Sequence, residues 1–438
     1  MPEPPSGGAT TGADSPTTAR PATWLARWLD VNADLARLHA SNPMLDAVVD
    51  EQDGRRIRIG GHWLVDFASC NYLGFDLDPE IIAAVPGYLA RWGTHPSWSR
   101  MLASPALNRR IDAELAALLG AEDVLTLPTI THIHGSVLPA LADQGTVYLD
   151  ARAHKTILDG CQLARGRGAT VRRFAHDDPD ELERLLRAGG AEPRVICMDG
   201  INSMTGNPPP LHAYTELARA YDALLYVDDG HGFGVVGERA PDEPCPYGRR
   251  GNGLVRHLGE SYDHVVLVGG FSKAYSSLLA FVACSTRLKE LLKVAAPPYL
   301  YSGPSPIASL ATVLEGLRVN AERGDELRTR LWHHTRRVLD TLGELGAWTP
   351  NTSGFPIVEV PLADPDDLDR VGAFLFARGV YATLAFYPGV PRTQVGFRLQ
   401  LTAANTDDEL DLLTDVLHDL ASRFPLRSAD GPRTVVLP

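Results

Sequence analysis

Between about residue 110 and residue 282, short apolar runs alternate with stretches of helical spacing. The runs are Val124 to Leu127, Val147 to Leu149, Val171 to Phe174, Val195 to Met198, Leu224 to Val227, Val265 to Val268 and Leu279 to Val282. Between them lie an amphipathic segment, Pro179 to Leu186, and another around Leu217 and Ala220. A strand that is apolar throughout must be covered on both faces, so the pattern predicts an α/β fold with a largely parallel sheet between helices. In such sheets ligands sit beyond the carboxyl ends of the strands. The residues immediately after each run are therefore the ones to inspect.

The rest of the chain is organised around this block. Residues 1–22, rich in Pro, Gly, Ser, Thr and Ala, are expected to form a disordered tail. Residues 23–70 are expected to hold a helix, from the spacing of Trp24, Leu25, Trp28, Leu29, Leu35 and Leu38, and a hairpin from Arg56 to Phe67. Residues 71–310 form the large domain. After Pro306 a helical stretch runs to about Gly346 and leads into a second pattern: strand Ile357 to Val360, helix Leu368 to Phe376, strand Arg398 to Leu401, helix Glu409 to Leu420. This predicts a smaller C-terminal α/β domain over 311–425, with a tail at 426–438.

Charge narrows the choice of partners. A net charge of -13 opposes nucleic acid and anionic membranes, so a bound phosphate or carboxylate needs a local positive site. Five cysteines without a Cys-x-x-Cys pair fit a reducing compartment, and no apolar h-region follows a basic start. A cytoplasmic protein is the expectation. His132 and His134 lack a third partner at metal-ligand spacing, so no metal site is expected.

Three strand ends carry chemistry. Val265 to Val268 is followed by Gly269-Gly270-Phe271-Ser272-Lys273-Ala274. A buried lysine loses its proton readily and can form a Schiff base, and Ser272 could donate to a phosphate; a solvated loop lysine is the plainer alternative. Leu224 to Val227 leads into Asp228-Asp229-Gly230-His231-Gly232, where a carboxylate could hold a pyridine nitrogen protonated or simply cap a turn. The run ending at Leu149 leads into Asp150-Ala151-Arg152-Ala153-His154, whose imidazole could stack on a planar ring or be structural.

The order and spacing of these stretches resemble the fold-type I pyridoxal-phosphate enzymes, and more narrowly the α-oxoamine synthases, over about residues 65–422. The shared motifs are N-Y-L-G (71–74), D-x-x-x-H (150–154), S-M-x-G (203–206), D-D-x-H-G (228–232), S-K-A (272–274) and R-x-x-x-T-A-A (398–404). The resemblance implies a mostly parallel seven-stranded sheet with a smaller C-terminal α/β domain, and pyridoxal 5'-phosphate as cofactor. It implies Lys273 as the Schiff-base lysine, Asp228 as partner of the pyridine nitrogen, His231 on the ring oxygen, His154 stacked on the ring and Ser203 beside it. Thr129, Ile130, Thr131 and Ser272 would hold the phosphate. Arg398 would take the amino-acid carboxylate, a task suited to a bidentate guanidinium, with Asn71 near the substrate. Ser302 would reach the phosphate of a neighbouring subunit in a homodimer. The implied reaction condenses an amino acid with an acyl thioester, on coenzyme A or a carrier protein, with loss of carbon dioxide.

The chain departs from the family pattern at several positions. The usual Ser-Gly-Tyr or Ser-Gly-Phe is Thr129-Ile130-Thr131, the Thr three before the lysine is Gly270, and the Ala under the ring is Gly230. Pro96 and Trp98 replace small residues, which implies a reshaped acyl channel, and a family histidine corresponds to Asn108 or Arg109. An aminotransferase, a lyase or another carbon–carbon enzyme could use the same lysine, aspartate and arginine. A binding protein that kept the fold and lost the activity is the alternative of another class.

Overall fold

A computed structural model describes residues 24, 26–27, 33–387 and 389–428. The expected tail at 1–22 lies outside the described residues, as do Leu25, Trp28 and Leu29. The helix Ala33–Ser41 is described, with Leu38 buried. Next come three antiparallel strands, β1 (Val49–Asp53), β2 (Arg56–Ile59) and β3 (His62–Asp66). Strands β2 and β3 form the expected hairpin, turning through Gly60 and Gly61 at φ of 55° and 85°, values that favour glycine. Strand β1 carries no sequence signal, because its five residues, Val-Asp-Glu-Gln-Asp, are all exposed and show no apolar alternation.

The central sheet has seven strands. They are β4 (Asp123–Leu127), β5 (Thr146–Asp150), β6 (Thr170–Phe174), β7 (Arg194–Asp199), β8 (Ala223–Asp228), β9 (Val265–Gly270) and β10 (Ala280–Cys284). Their spatial order is β4-β10-β9-β8-β7-β5-β6. Strand β10 runs antiparallel to both neighbours, and the pairs from β9 through β6 are parallel. Strand β4 therefore runs in the same sense as β9, and the loops after six strands leave the sheet at one edge. Strands β5, β9 and β10 are buried at every residue, which is why they read as unbroken apolar runs. Each such Val, Leu or Phe contributes about 1.5–3 kcal/mol relative to exposure.

Side-chain caps set the helices between strands. Thr129 accepts from the His132 amide at the start of Ile130–Ala142, and Asp178 caps Pro179–Arg187. The helix Ile307–Glu344, 38 residues long, buries Leu310, Leu314, Leu317, Leu331, Val338 and Leu342 along one stripe. It leads to a second sheet built from β11 (Ile357–Pro361), β13 (Thr383–Ala385) and β14 (Gly396–Gln400), all antiparallel. Strand β12 (Val380–Tyr381) instead pairs in parallel with β3, joining the N-terminal hairpin to the C-terminal part. The closing helix, Asp407–Arg423, starts with a reciprocal Thr406–Glu409 capping box. The tail expected from 426 needs correction: Leu426 and Ser428 bridge to Leu362 and Ala347, so these residues belong to the folded part. Residues 429–438 lie outside the described residues. No helix among the described residues is long and apolar enough to cross a membrane.

Candidate active site

A cleft of about 1010 Å³ opens at the carboxyl edge of the central sheet, with Arg398 of the C-terminal sheet on its far wall. Loops after β4, β5, β7, β8 and β9 supply Thr129, Ile130, Thr131, His154, Ser203, Asp228, His231, Ser272 and Lys273. Ten of the twelve expected site residues thus meet in one cavity, counting Arg398. The parallel sheet explains this: strands running in one sense deliver sequence-distant loops to one edge.

Two expected residues are placed elsewhere. Asn71 does not line the cleft; it donates to Asp76 Oδ2 at 3.0 Å and accepts from Ser276 Oγ at 2.9 Å, so Cys70 occupies the wall there. Ser302 lies on the loop after the short helix Pro297–Leu300, outside the cleft of its own chain.

Pleating separates the paired aspartates. Asp228 faces the cleft, whereas Asp229 is fully buried on the other side, its Oδ2 accepting from the Leu254 amide at 2.8 Å. Burial alone would raise Asp228, but His134, Lys273 and the Gly230 amide outweigh it and hold the carboxyl down at about 2. Burial dominates for Asp229 and for Asp199, both pushed up to about 8 with Asp228's charge adding to the effect. Asp199 is the register partner of Asp228 and accepts from the His154 amide at 2.9 Å. The cleft thus carries one ionised and one protonated carboxyl.

The two expected histidines are both held neutral at neutral pH. Burial lowers His154, against the pull of Asp228 and with the help of Lys273. Burial lowers His231 further, reinforced by Lys273 and Arg398. Tyr72 Oη lies 2.8 Å from His231 Nδ1 and 3.3 Å from Gln400 Oε1, and burial keeps it a phenol. The 2.8 Å contact with Tyr72 fixes the orientation of the His231 ring. Tyr72 sits inside the N-Y-L-G stretch, yet nothing local to it signals a contact 159 residues away.

Arg398 donates through Nη1 to Ser203 O at 2.7 Å, and its Nε has no partner among the described residues. Its register partner, Glu359, is fully buried with both carboxyl oxygens unpaired. Burial pushes Glu359 up to about 7 against the pull of Arg398 and Arg152. A neutral Glu359 leaves the Arg398 guanidinium free for an incoming anion. In an unfolded chain Glu359 would ionise near 4.5, before it does in the folded protein, so its contribution to stability falls as pH rises from about 4.5 to about 7. Glu359→Gln removes this proton linkage, worth at most about 3 kcal/mol. The variant is expected to gain more in Tm over the natural protein at pH 8 than at pH 5. An equal gain at both pH values in thermal melts would refute the assignment.

The family departures fit one another physically. A Cβ at Gly270 would lie 2.5 Å from Ile130 Cδ1, and one at Gly230 would lie 2.9 Å from the same atom. Ile130 fills the room that larger residues at 230 and 270 would take, so the three changes form one packing unit.

Pyridoxal 5'-phosphate suits these residues. Asp228 keeps carboxylate lone pairs toward the cleft, because His134 and the Gly230 amide use only one site on each oxygen. The first amides of Ile130–Ala142, with the Thr131 and Ser272 hydroxyls, suit a phosphate. A Cβ at Gly230 would stand 3.1 Å from Lys273 Nζ, so its absence keeps space beside the amine.

Comparison with known proteins agrees. The aminotransferase class I and II family model matches residues 65–417. The chain is 32% identical over 368 residues to the 8-amino-7-oxononanoate synthase of Aromatoleum aromaticum, covering 84% of this chain and 91% of the relative. It is 30% identical over 371 residues to the 8-amino-7-oxononanoate synthase of Coprothermobacter proteolyticus, covering 84% and 90%. In fold, it matches serine palmitoyltransferase from S. paucimobilis at a TM-score of 0.82 and 24% identity, covering 91% of this chain and 98% of that one.

Proposed function

We propose that this chain, which belongs to the aminotransferase class I and II family and to its α-oxoamine synthase branch, condenses an amino acid with an acyl thioester. It is a pyridoxal phosphate-dependent acyltransferase: carbon dioxide and a free thiol leave, and an α-amino ketone is the product. The observation that carries the reading is the meeting of Lys273, Asp228, His231, His154 and Arg398 in one cleft.

Pyridoxal phosphate, when bound, supplies a carbonyl that captures amines and a ring that withdraws electrons from the α-carbon. The protein does the rest. Asp228, ionised at neutral pH, holds a proton on the ring nitrogen. His231, oriented by Tyr72, would hold the ring oxygen. His154 covers one ring face, and Ser203 closes the adjoining wall. Thr129, Ile130, Thr131 and Ser272 hold the phosphate. Arg398 clamps the amino-acid carboxylate in a fixed orientation. Lys273 Nζ takes the α-proton of the bound amino acid, leaving the α-carbon to attack the thioester carbonyl.

The working unit in this reading is a cytoplasmic homodimer, in which Ser302 reaches the partner's phosphate. Trp98, Met101, Leu102 and Tyr301 support it: all are more than half exposed in the single chain, 51%, 54%, 72% and 78%. The Met101 amide donates to Tyr299 O, tying these segments into one face. Residues 71–310 and 311–425 act as the cofactor-binding and carboxylate-binding domains.

The test is to incubate the purified protein with single amino acids and acyl thioesters, on coenzyme A and on carrier protein. Amino-acid-dependent thiol release with matching carbon dioxide supports the reading. Release of an α-keto acid without thiol would make it an aminotransferase instead.

A further inference from the structure

His134 is fully buried on the sheet-facing side of Ile130–Ala142, whose other inward residues include Ile133, Val137, Leu138 and Leu141. An imidazole among aliphatic neighbours costs desolvation unless both nitrogens are satisfied. Both are. Nε2 lies 2.8 Å from Asp228 Oδ2, and Nδ1 lies 2.8 Å from Tyr226 Oη. Asp228 is ionised and can only accept, so Nε2 carries the proton. Burial keeps Tyr226 a phenol, 2.8 Å from Nδ1. A chain of contacts therefore runs from Tyr226 through His134 to Asp228, with His134 Nε2–H donating to the carboxylate. Gly160 fixes the backbone of this helix, since a Cβ there would overlap the His134 carbonyl.

Resting on the cofactor reading above, we propose that His134 is a positioning residue that holds the Asp228 carboxylate ionised and aimed at the cofactor's ring nitrogen, with Tyr226 anchoring the other side of its ring. It touches neither substrate nor cofactor. Its donor occupies the protein side of Asp228, while the Gly230 amide occupies Oδ1 at 2.9 Å, and the remaining lone pairs face the cleft. Loss of the donor makes Asp228 more basic, so that the proton it shares with the ring nitrogen would pass to its carboxylate. The other charged or titratable groups around Asp228 are Lys273, His154, Asp199 and Asp229.

The test uses the purified holoenzyme and its variants His134→Leu, His134→Gln and Tyr226→Phe. Two readouts are taken beside Tm: the pyridoxal phosphate dissociation constant, and the pH midpoint of the bound cofactor's visible absorbance. His134→Leu is expected to weaken cofactor binding about tenfold or more, the loss of one charge-assisted hydrogen bond. It should also move the absorbance midpoint to higher pH, because a ring nitrogen without its proton no longer repels a proton on the Lys273 adduct. His134→Gln, which keeps a donor near the Nε2 position, should recover most of both. Tyr226→Phe should move the midpoint in the same direction by less. A His134→Leu protein with the natural midpoint and affinity overturns the proposal. If that variant does not fold, an unmoved midpoint in Tyr226→Phe overturns it equally. A natural protein that takes up no pyridoxal phosphate would sink the underlying reading along with it, so the two failures are distinguishable.

Discussion

Lys273→Ala is expected to lower turnover by about 10²–10⁴-fold while leaving the fold intact. Lys273 follows β9, buried at every residue, but its own side chain is only partly buried at the cleft, and no ion pair among the described residues depends on its ammonium. Removing it deletes the amine without opening the core. In the natural protein, borohydride reduction should fix the cofactor to the peptide carrying Lys273, and peptide mapping will read this directly. The variant should bind the cofactor without covalent capture. Label on another lysine, or near-normal turnover in the variant, would remove Lys273 from the centre of the mechanism.

Arg398→Ala should lower kcat/KM for the amino acid by about 10²–10³-fold, as expected when one partner of a desolvated charge pair is deleted. The KM for the acyl thioester should stay near its natural value, because the guanidinium addresses only the carboxylate. Arg398→Lys should recover little, since an ammonium cannot make the paired contacts of a guanidinium. A second effect follows from Glu359. Its carboxyl sits at about 7 with Arg398 lowering it, so the Ala variant pushes it higher still. The stability loss with rising pH should then extend to more alkaline pH than in the natural protein. An unchanged amino-acid KM, with the whole loss in kcat, would place the carboxylate elsewhere.

Much of this site was legible along the chain because its carriers follow strands. Lys273, Asp228, His231 and His154 each stand within a few residues of the end of a buried apolar run, and parallel strands bring such ends together. The departures were also legible as substitutions, but not as a set. Only the packing shows that Ile130 occupies the space above Gly230 and Gly270. Asn71, inside the N-Y-L-G motif, spends its amide on Asp76 and Ser276, which only the packed structure shows.

The sequence by itself determined the strand–helix alternation, the long helix after Pro306 and the residues at the strand ends. These are encoded by spacing of two or of three to four residues, within a single element. The tertiary structure alone decided that β12 joins β3, that Tyr72 orients His231, that Glu359 lies buried beside Arg398, and that His134 backs Asp228. Each of these contacts joins residues between 39 and more than 300 positions apart. Local periodicity carries no information about such pairs. Tyr72 with His231 and His134 with Asp228 pair because a buried polar group must find a partner in whatever the packed chain places next to it, whereas Glu359 finds none and is pushed toward its neutral form.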